Sequence, residues 1–129
     1  MTEAYDLYQE GRSRLKKGMN AQATVPLEKA KKLEPDKASI REALGIAYFR
    51  IRRWSEAETE FRKLVELAPA DEYAHFALAR TLDRQGRSAE AGRHHALARQ
   101  MACLRGTRGR PGDPRITNSS SGLSAPSAR

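Results

Sequence analysis

The residues best suited to chemistry are aromatic rings and arginines that recur at one helical spacing. Tyr5, Tyr8, Arg12 and Lys16 stand at i, i+3, i+7 and i+11, and Tyr73, Phe76, Arg80 and Arg84 repeat those intervals. Between the two sets, Ser39, Glu42, Ile46, Phe49 and Arg50 run in the same phase. Positions so spaced share one side of an α-helix. This side collects Tyr5, Tyr8, Phe49, Tyr73 and Phe76, five of the chain's aromatics, which are 1 Trp, 4 Tyr and 3 Phe in all. It sets Arg12, Lys16, Arg50, Arg80 and Arg84 against only Glu42 and Asp83. Rings beside forked guanidinium donors suit an extended peptide with apolar side chains and carboxylates. The alternative is that the rings pack on neighbouring helices and the arginines form a solvated face.

Other chemistry finds little footing. His94 and His95 are adjacent, so on a helix they point about 100° apart and do not hold one metal ion. His75 is distant from both in sequence. Cys103 is the single cysteine, has no acid–base partner near it in sequence, and closes no internal disulfide. No glycine-rich phosphate loop, paired-carboxylate site or nucleophile motif is present. We therefore expect no metal, no cofactor and no enzymatic activity.

The elements that position these residues follow from the totals and the pattern. The 129 residues suffice for one modest domain, and 31% charged with 39% hydrophobic residues suits a charge-rich helical protein. The formal charge of +8 divides unevenly. Residues 1–103 hold 19 Lys and Arg against 15 Asp and Glu (19 − 15 = +4), and residues 104–129 hold 5 Arg against 1 Asp (5 − 1 = +4). The N-terminal MTEAYDLYQEG has no apolar run of the kind a signal peptide needs. No stretch approaches the roughly 20 apolar residues that cross a bilayer. A cytoplasmic protein without membrane contact is the expectation.

Self-comparison reveals a repeat. Leu-x-Pro occurs at Leu33–Pro35 and Leu67–Pro69, and 69 − 35 = 34. The same shift aligns Gly11 with Gly45 and Ala79, and Ala23 with Ala57 and Ala91. It also aligns Leu27 with Phe61 and His95, and Gly18 with Arg52 and Gly86. Each unit reads as an apolar helical run (Leu44, Ala47, Tyr48, Ile51), a break, and a second run (Ala57, Phe61, Leu64, Val65) ended by proline. Helices are expected near 3–17, 20–33, 37–51, 54–67, 71–85 and 88–103. Ser55 and Ser88 are expected N-caps, Ser55 completing a capping box with Glu58, and Asp36 and Asp71 fall where the next helices begin. From residue 104 the chain is rich in Gly, Pro, Ser and Arg, so a disordered basic tail is expected over 104–129.

A unit with Leu44-Gly45, Tyr48, Trp54, Ala57, Phe61, Leu67 and Pro69 at these spacings resembles the tetratricopeptide repeat. Three positions depart from that pattern: Arg41 stands where the family's leading Trp falls, Arg14 where its aromatic would be, and Cys103 where the third unit's Pro would end it. The resemblance implies an all-α, right-handed solenoid of three helix-turn-helix repeats, at about 4–37, 38–71 and 72–103. We expect Gly45 and Ala57 to face each other where the two helices of a repeat cross.

In the family the first helices of the repeats line a concave groove. That places Tyr5, Tyr8, Arg12, Lys16, Phe49, Arg50, Tyr73, Phe76, Arg80 and Arg84 on a peptide-binding wall. Some members grip a C-terminal carboxylate with Lys and Asn; here those positions hold Tyr8, Arg12, Ala43, Phe76 and Arg80, leaving Arg12 and Arg80 to hold an acid. The expected function is a protein-interaction adaptor whose partner presents an acidic or C-terminal peptide segment. Two alternatives stand beside it. Helix 88–103 is not followed by a recognisable polar cap and would serve self-association. The tail's arginines would give at most salt-sensitive contact with nucleic acid, which is not the expected partner.

Overall fold

A computed structural model describes residues 2–109. Six helices follow one another: α1 (Glu3–Lys16), α2 (Asn20–Leu33), α3 (Ala38–Arg50), α4 (Trp54–Leu67), α5 (Glu72–Arg84) and α6 (Ser88–Gly109). No strand occurs among the described residues. Consecutive helices pack pairwise, α1 on α2, α3 on α4 and α5 on α6, and each hairpin meets the next through α2·α3 and α4·α5. The result is a stack of three hairpins. The sixth helix runs past residue 103, where a tail was expected, to Gly109. Gly is a poor helix former, but extending a helix already nucleated needs no new nucleus. Residues 110–129 of the expected tail lie outside the described residues.

The repeat is visible in the turns. Met19, Arg53 and Arg87 each donate their amide to the carbonyl five residues back, at Arg14 (2.8 Å), Tyr48 (2.9 Å) and Leu82 (3.0 Å). That 6→1 bond closes a helix when the residue before the donor is left-handed. Gly18 (φ 79°), Arg52 (φ 64°) and Gly86 (φ 78°) fill this place. Arg52 alone carries a Cβ there, which strains the second turn.

The turns also explain why the expected serine caps fail. The Arg53 and Arg87 carbonyls already receive the amides of Ala57 and Ala91, both at 3.0 Å. The helices therefore start early. Ser55 lies inside α4, whose cap is Arg53 without a side-chain bond, and Ser88 is the first residue of α6. Asp36 precedes the true cap of α3, Lys37. Asp71 does cap α5, its side chain accepting the Tyr73 amide at 3.0 Å. Thr2 caps α1 in the same way, through the Tyr5 amide at 3.1 Å.

Packing corrects a second expectation. A methyl added to Gly45 would overlap the ring of Phe61, and one added to Gly11 would overlap Leu27. The glycines thus make room for the bulky residue of the second helix, not for Ala57. Phe61, Leu27, Leu44, Leu64, Leu78 and Leu82 are fully enclosed. Each such side chain contributes roughly 1.5–3 kcal/mol by leaving water. Tyr48 touches both core clusters and joins the first hairpins to the last.

Both departures at arginine have structural reasons. Pro26 lies within α2 and has no amide hydrogen. The carbonyl left without that donor is Gln22, four residues back, and Arg14 Nη1 donates to it at 3.0 Å. Arg41 donates from Nε to the Pro35 carbonyl at 2.9 Å and from Nη1 to Glu60 at 2.9 Å. Lys31 completes the site at 2.9 Å from the other oxygen of Glu60, which is buried. A buried carboxylate is tolerable because both oxygens are met by cations.

The two ends of the stack differ. Asp6, Gln9, Glu10 and Ser13 are exposed on α1, whereas Ala74, Ala77, Leu78 and Thr81, two periods on (74 − 6 = 68), are buried on α5. At the other end, His95 and Ala98 of α6 take the places of Phe61 and Leu64. A cavity of about 450 Å³ opens there between Tyr73, Phe76, His95, Ala98 and Ala102.

Candidate functional site

Helix phase brings half of the expected wall together. Phe49 and Arg50 come from the last turn of α3, and Tyr73, Phe76 and Arg80 from α5. They enclose a cavity of about 300 Å³ whose floor is Ile46, Phe61 and Ala77. The Arg80 guanidinium lies 5.3 Å from the centre of the Phe49 ring and 5.8 Å from that of Phe76. A cation over two rings is held in place without being neutralised by an anion. Tyr73 and Phe76 are substantially exposed, at 38% and 41%. These rings are partly open to solvent.

Tyr8 and Arg12 form a second part. Arg12 stacks over Tyr8, 5.7 Å from the ring centre. With Glu42, Ala43 and Ile46 they line a cavity of about 270 Å³ between α1 and α3. Ile46 borders both cavities. Tyr5 sits at the far end, in a cavity of about 320 Å³ with Tyr8, Lys37 and Ile40.

The remaining arginines lie toward the turns. Arg84 stacks on Trp54 at 5.8 Å, and Trp54 meets Phe49 edge-on at 4.9 Å. Arg50 reaches toward the first hairpin, 3.3 Å from the Leu15 carbonyl and 3.4 Å from Asn20 Oδ1. Lys16 is exposed in the last turn of α1 and borders none of these cavities. Trp54 was not an expected wall residue because it opens a second helix. Its place directly after the turn carries it to the end of the α3 wall.

The electrostatics are mixed in sign. Burial and the Asp71 carboxylate push the Glu42 carboxyl above its ordinary range, with Arg12 pulling the other way. Burial and Glu42 likewise raise the Tyr73 phenol, against Arg50 and Arg80. Glu42 is therefore the acid at the centre of an otherwise cationic wall. Asp83, the other acid, is taken up by His95 Nε2 at 2.9 Å.

His75, distant in sequence, meets His94 across the α5–α6 hairpin, with their Nδ1 atoms 3.3 Å apart. Among the described residues no three His, Cys, Asp or Glu side chains gather as a metal site would require. No described helix is long and apolar enough to cross a membrane.

Comparison with known proteins fits this architecture. The tetratricopeptide repeat family model matches residues 8–72 and 42–100. Comparison of the sequence with curated proteins finds no match. Among solved structures, a MamA mutant is 24% identical over 78% of this chain and 74% of its own, with a TM-score of 0.74. The type III secretion translocator chaperone SycD of Yersinia enterocolitica is 17% identical over 78% of this chain and 76% of its own, with a TM-score of 0.72. The second tetratricopeptide domain of Spaghetti (RPAP3), bound to the HSP90 peptide SRMEEVD, is 17% identical over 78% of this chain and 93% of its own, with a TM-score of 0.74. At such identities the likeness establishes the fold. The family match spans most of the sequence and coincides with the three hairpins, so the chain belongs to the tetratricopeptide repeat family.

Proposed function

We propose that the chain is a non-enzymatic protein-interaction adaptor that takes an acidic peptide segment of a partner along the α1–α3–α5 wall. One observation carries this reading: Arg80 stands over Phe49 and Phe76 at an apolar cavity, so one place offers both a socket and a carboxylate donor. An apolar side chain of the guest enters between Phe49, Tyr73 and Phe76. Its acidic neighbours meet Arg80 and Arg50, and Arg12 beside Tyr8 receives a further carboxylate. Lys16 and Arg84 extend the cationic margin, and Tyr5 adds a ring at the far end. The peptide SRMEEVD held by the structurally similar RPAP3 domain supports this choice of guest, since its sequence is rich in acids.

The test is fluorescence anisotropy with acidic peptides that carry Leu or Phe beside paired glutamates. Arg80→Glu is expected to weaken binding roughly tenfold or more, because it reverses a charge at the socket. Arg12→Glu is expected to cost less. Unchanged affinity in the double variant would remove the groove reading.

A further inference from the structure

One register recurs in each hairpin, and in the second and third it holds a pair that ties the two helices. Its positions are Leu7 and Pro26, Arg41 and Glu60, and His75 and His94, each 34 residues from the last (41 − 7, 75 − 41, 60 − 26 and 94 − 60). The second and third share further geometry. Arg41 Nε donates to the Pro35 carbonyl at 2.9 Å, and His75 Nε2 lies 2.9 Å from the Pro69 carbonyl. Where Arg41 then reaches Glu60, His75 reaches His94, with ring centres 5.5 Å apart and planes 22° apart.

Hydrogen bonding assigns the protons. A carbonyl only accepts, so His75 Nε2 carries hydrogen. In the neutral ring this leaves His75 Nδ1 bare. The hydrogen between the two Nδ1 atoms therefore belongs to His94, and His94 Nε2 is left bare.

We propose that His75 and His94 form a proton-controlled latch: near neutral pH one hydrogen between their Nδ1 atoms holds α6 to α5, and acid releases it. The first proton enters at His94 Nε2 and places a charge near Arg62 of α4 and Arg93 of α6. Glu90 opposes them, and it is already bound by Arg62 and Arg87. The bond needs a bare His75 Nδ1, so hydrogen on both Nδ1 atoms would set two donors face to face and abolish it. Burial, with His75 next, holds His94 below the ordinary histidine value, with Glu90 opposing. The folded chain thus binds fewer protons than the unfolded chain. Stability present above about pH 6.5 is lost as pH falls through that value. Because His75 lies between Tyr73 and Phe76, the latch also steadies the groove wall; this consequence rests on the groove reading.

The experiment compares thermal melts of the wild type and His94→Gln at about pH 7.5 and about pH 5, without ligand. The Gln amide can offer His75 either a hydrogen or an oxygen, so its bond survives either charge state. The wild-type Tm is expected to fall about 4 °C further than that of the variant. Equal falls would overturn the latch. Imidazole nitrogen NMR near neutral pH is expected to show hydrogen on Nε2 of His75 and Nδ1 of His94, and the reverse tautomers would also overturn it. Acidic-peptide affinity, measured in both proteins at both pH values, is expected to drop more in the wild type. If the melts diverge and the affinities do not, the link to the wall is wrong. Peptides that bind at neither pH count against the groove alone.

Discussion

The second and third hairpins solve one packing problem with different chemistry. Both must join a first helix, a second helix and the carbonyl of the preceding turn. The second hairpin uses Arg41 and Glu60, the third His75 and His94. Arginine and glutamate side chains change charge far from neutral pH, and histidine changes near it. The backbone geometry is therefore common to both hairpins, and only the side chains decide whether the joint responds to acid. The turns differ in the same spirit: Gly86 occupies without strain the left-handed position that Arg52 occupies with it.

The strongest way to break the comparison is to remove the fixed joint. Glu60→Ala leaves Arg41 and Lys31 facing each other at a dry site. It should cost about 3 kcal/mol in urea unfolding, with little change between pH 5 and 8. A smaller effect comes from exchanging the joints. His75→Arg with His94→Glu should make the third hairpin insensitive to acid, removing about 1 kcal/mol of pH-dependent stability loss seen by the same measurement. A pH profile as steep as that of the wild type would show that the sensitivity lies elsewhere. The smallest effect is at the turn. Arg52→Gly should gain about 0.5–1 kcal/mol, read as a higher Tm, because a strained left-handed residue is relieved.

How much of this was readable beforehand depended on the range of the interaction. The period of 34 and the six helices follow from local pattern, since Leu-x-Pro stops and apolar spacing act within one helix. The wall residues Phe49, Tyr73, Phe76 and Arg80 were also readable, because helical phase alone puts them on one side. What escaped depends on the partner across a hairpin. Gly45 suggests a close approach but does not say that Phe61 is what approaches. Ser55 is a good cap in isolation, yet the preceding turn had already started α4 at Trp54. His75 and His94 looked unrelated at 19 residues apart, although the Arg41–Glu60 interval is also 19 (94 − 75 = 60 − 41). Arg14 looked like a defect in the repeat until Pro26 left the Gln22 carbonyl in need of a donor.

The polar outer side of α1 gives the stack a direction. If a second copy were laid head-to-tail on the open end, the carboxylates of Asp6 and Glu10 would be pressed against Ala98 and Ala102, with the shed water unreplaced. That arrangement is the one that propagates without limit into filaments. Head-to-tail addition of copies through α1 therefore carries a desolvation cost at these exposed acids.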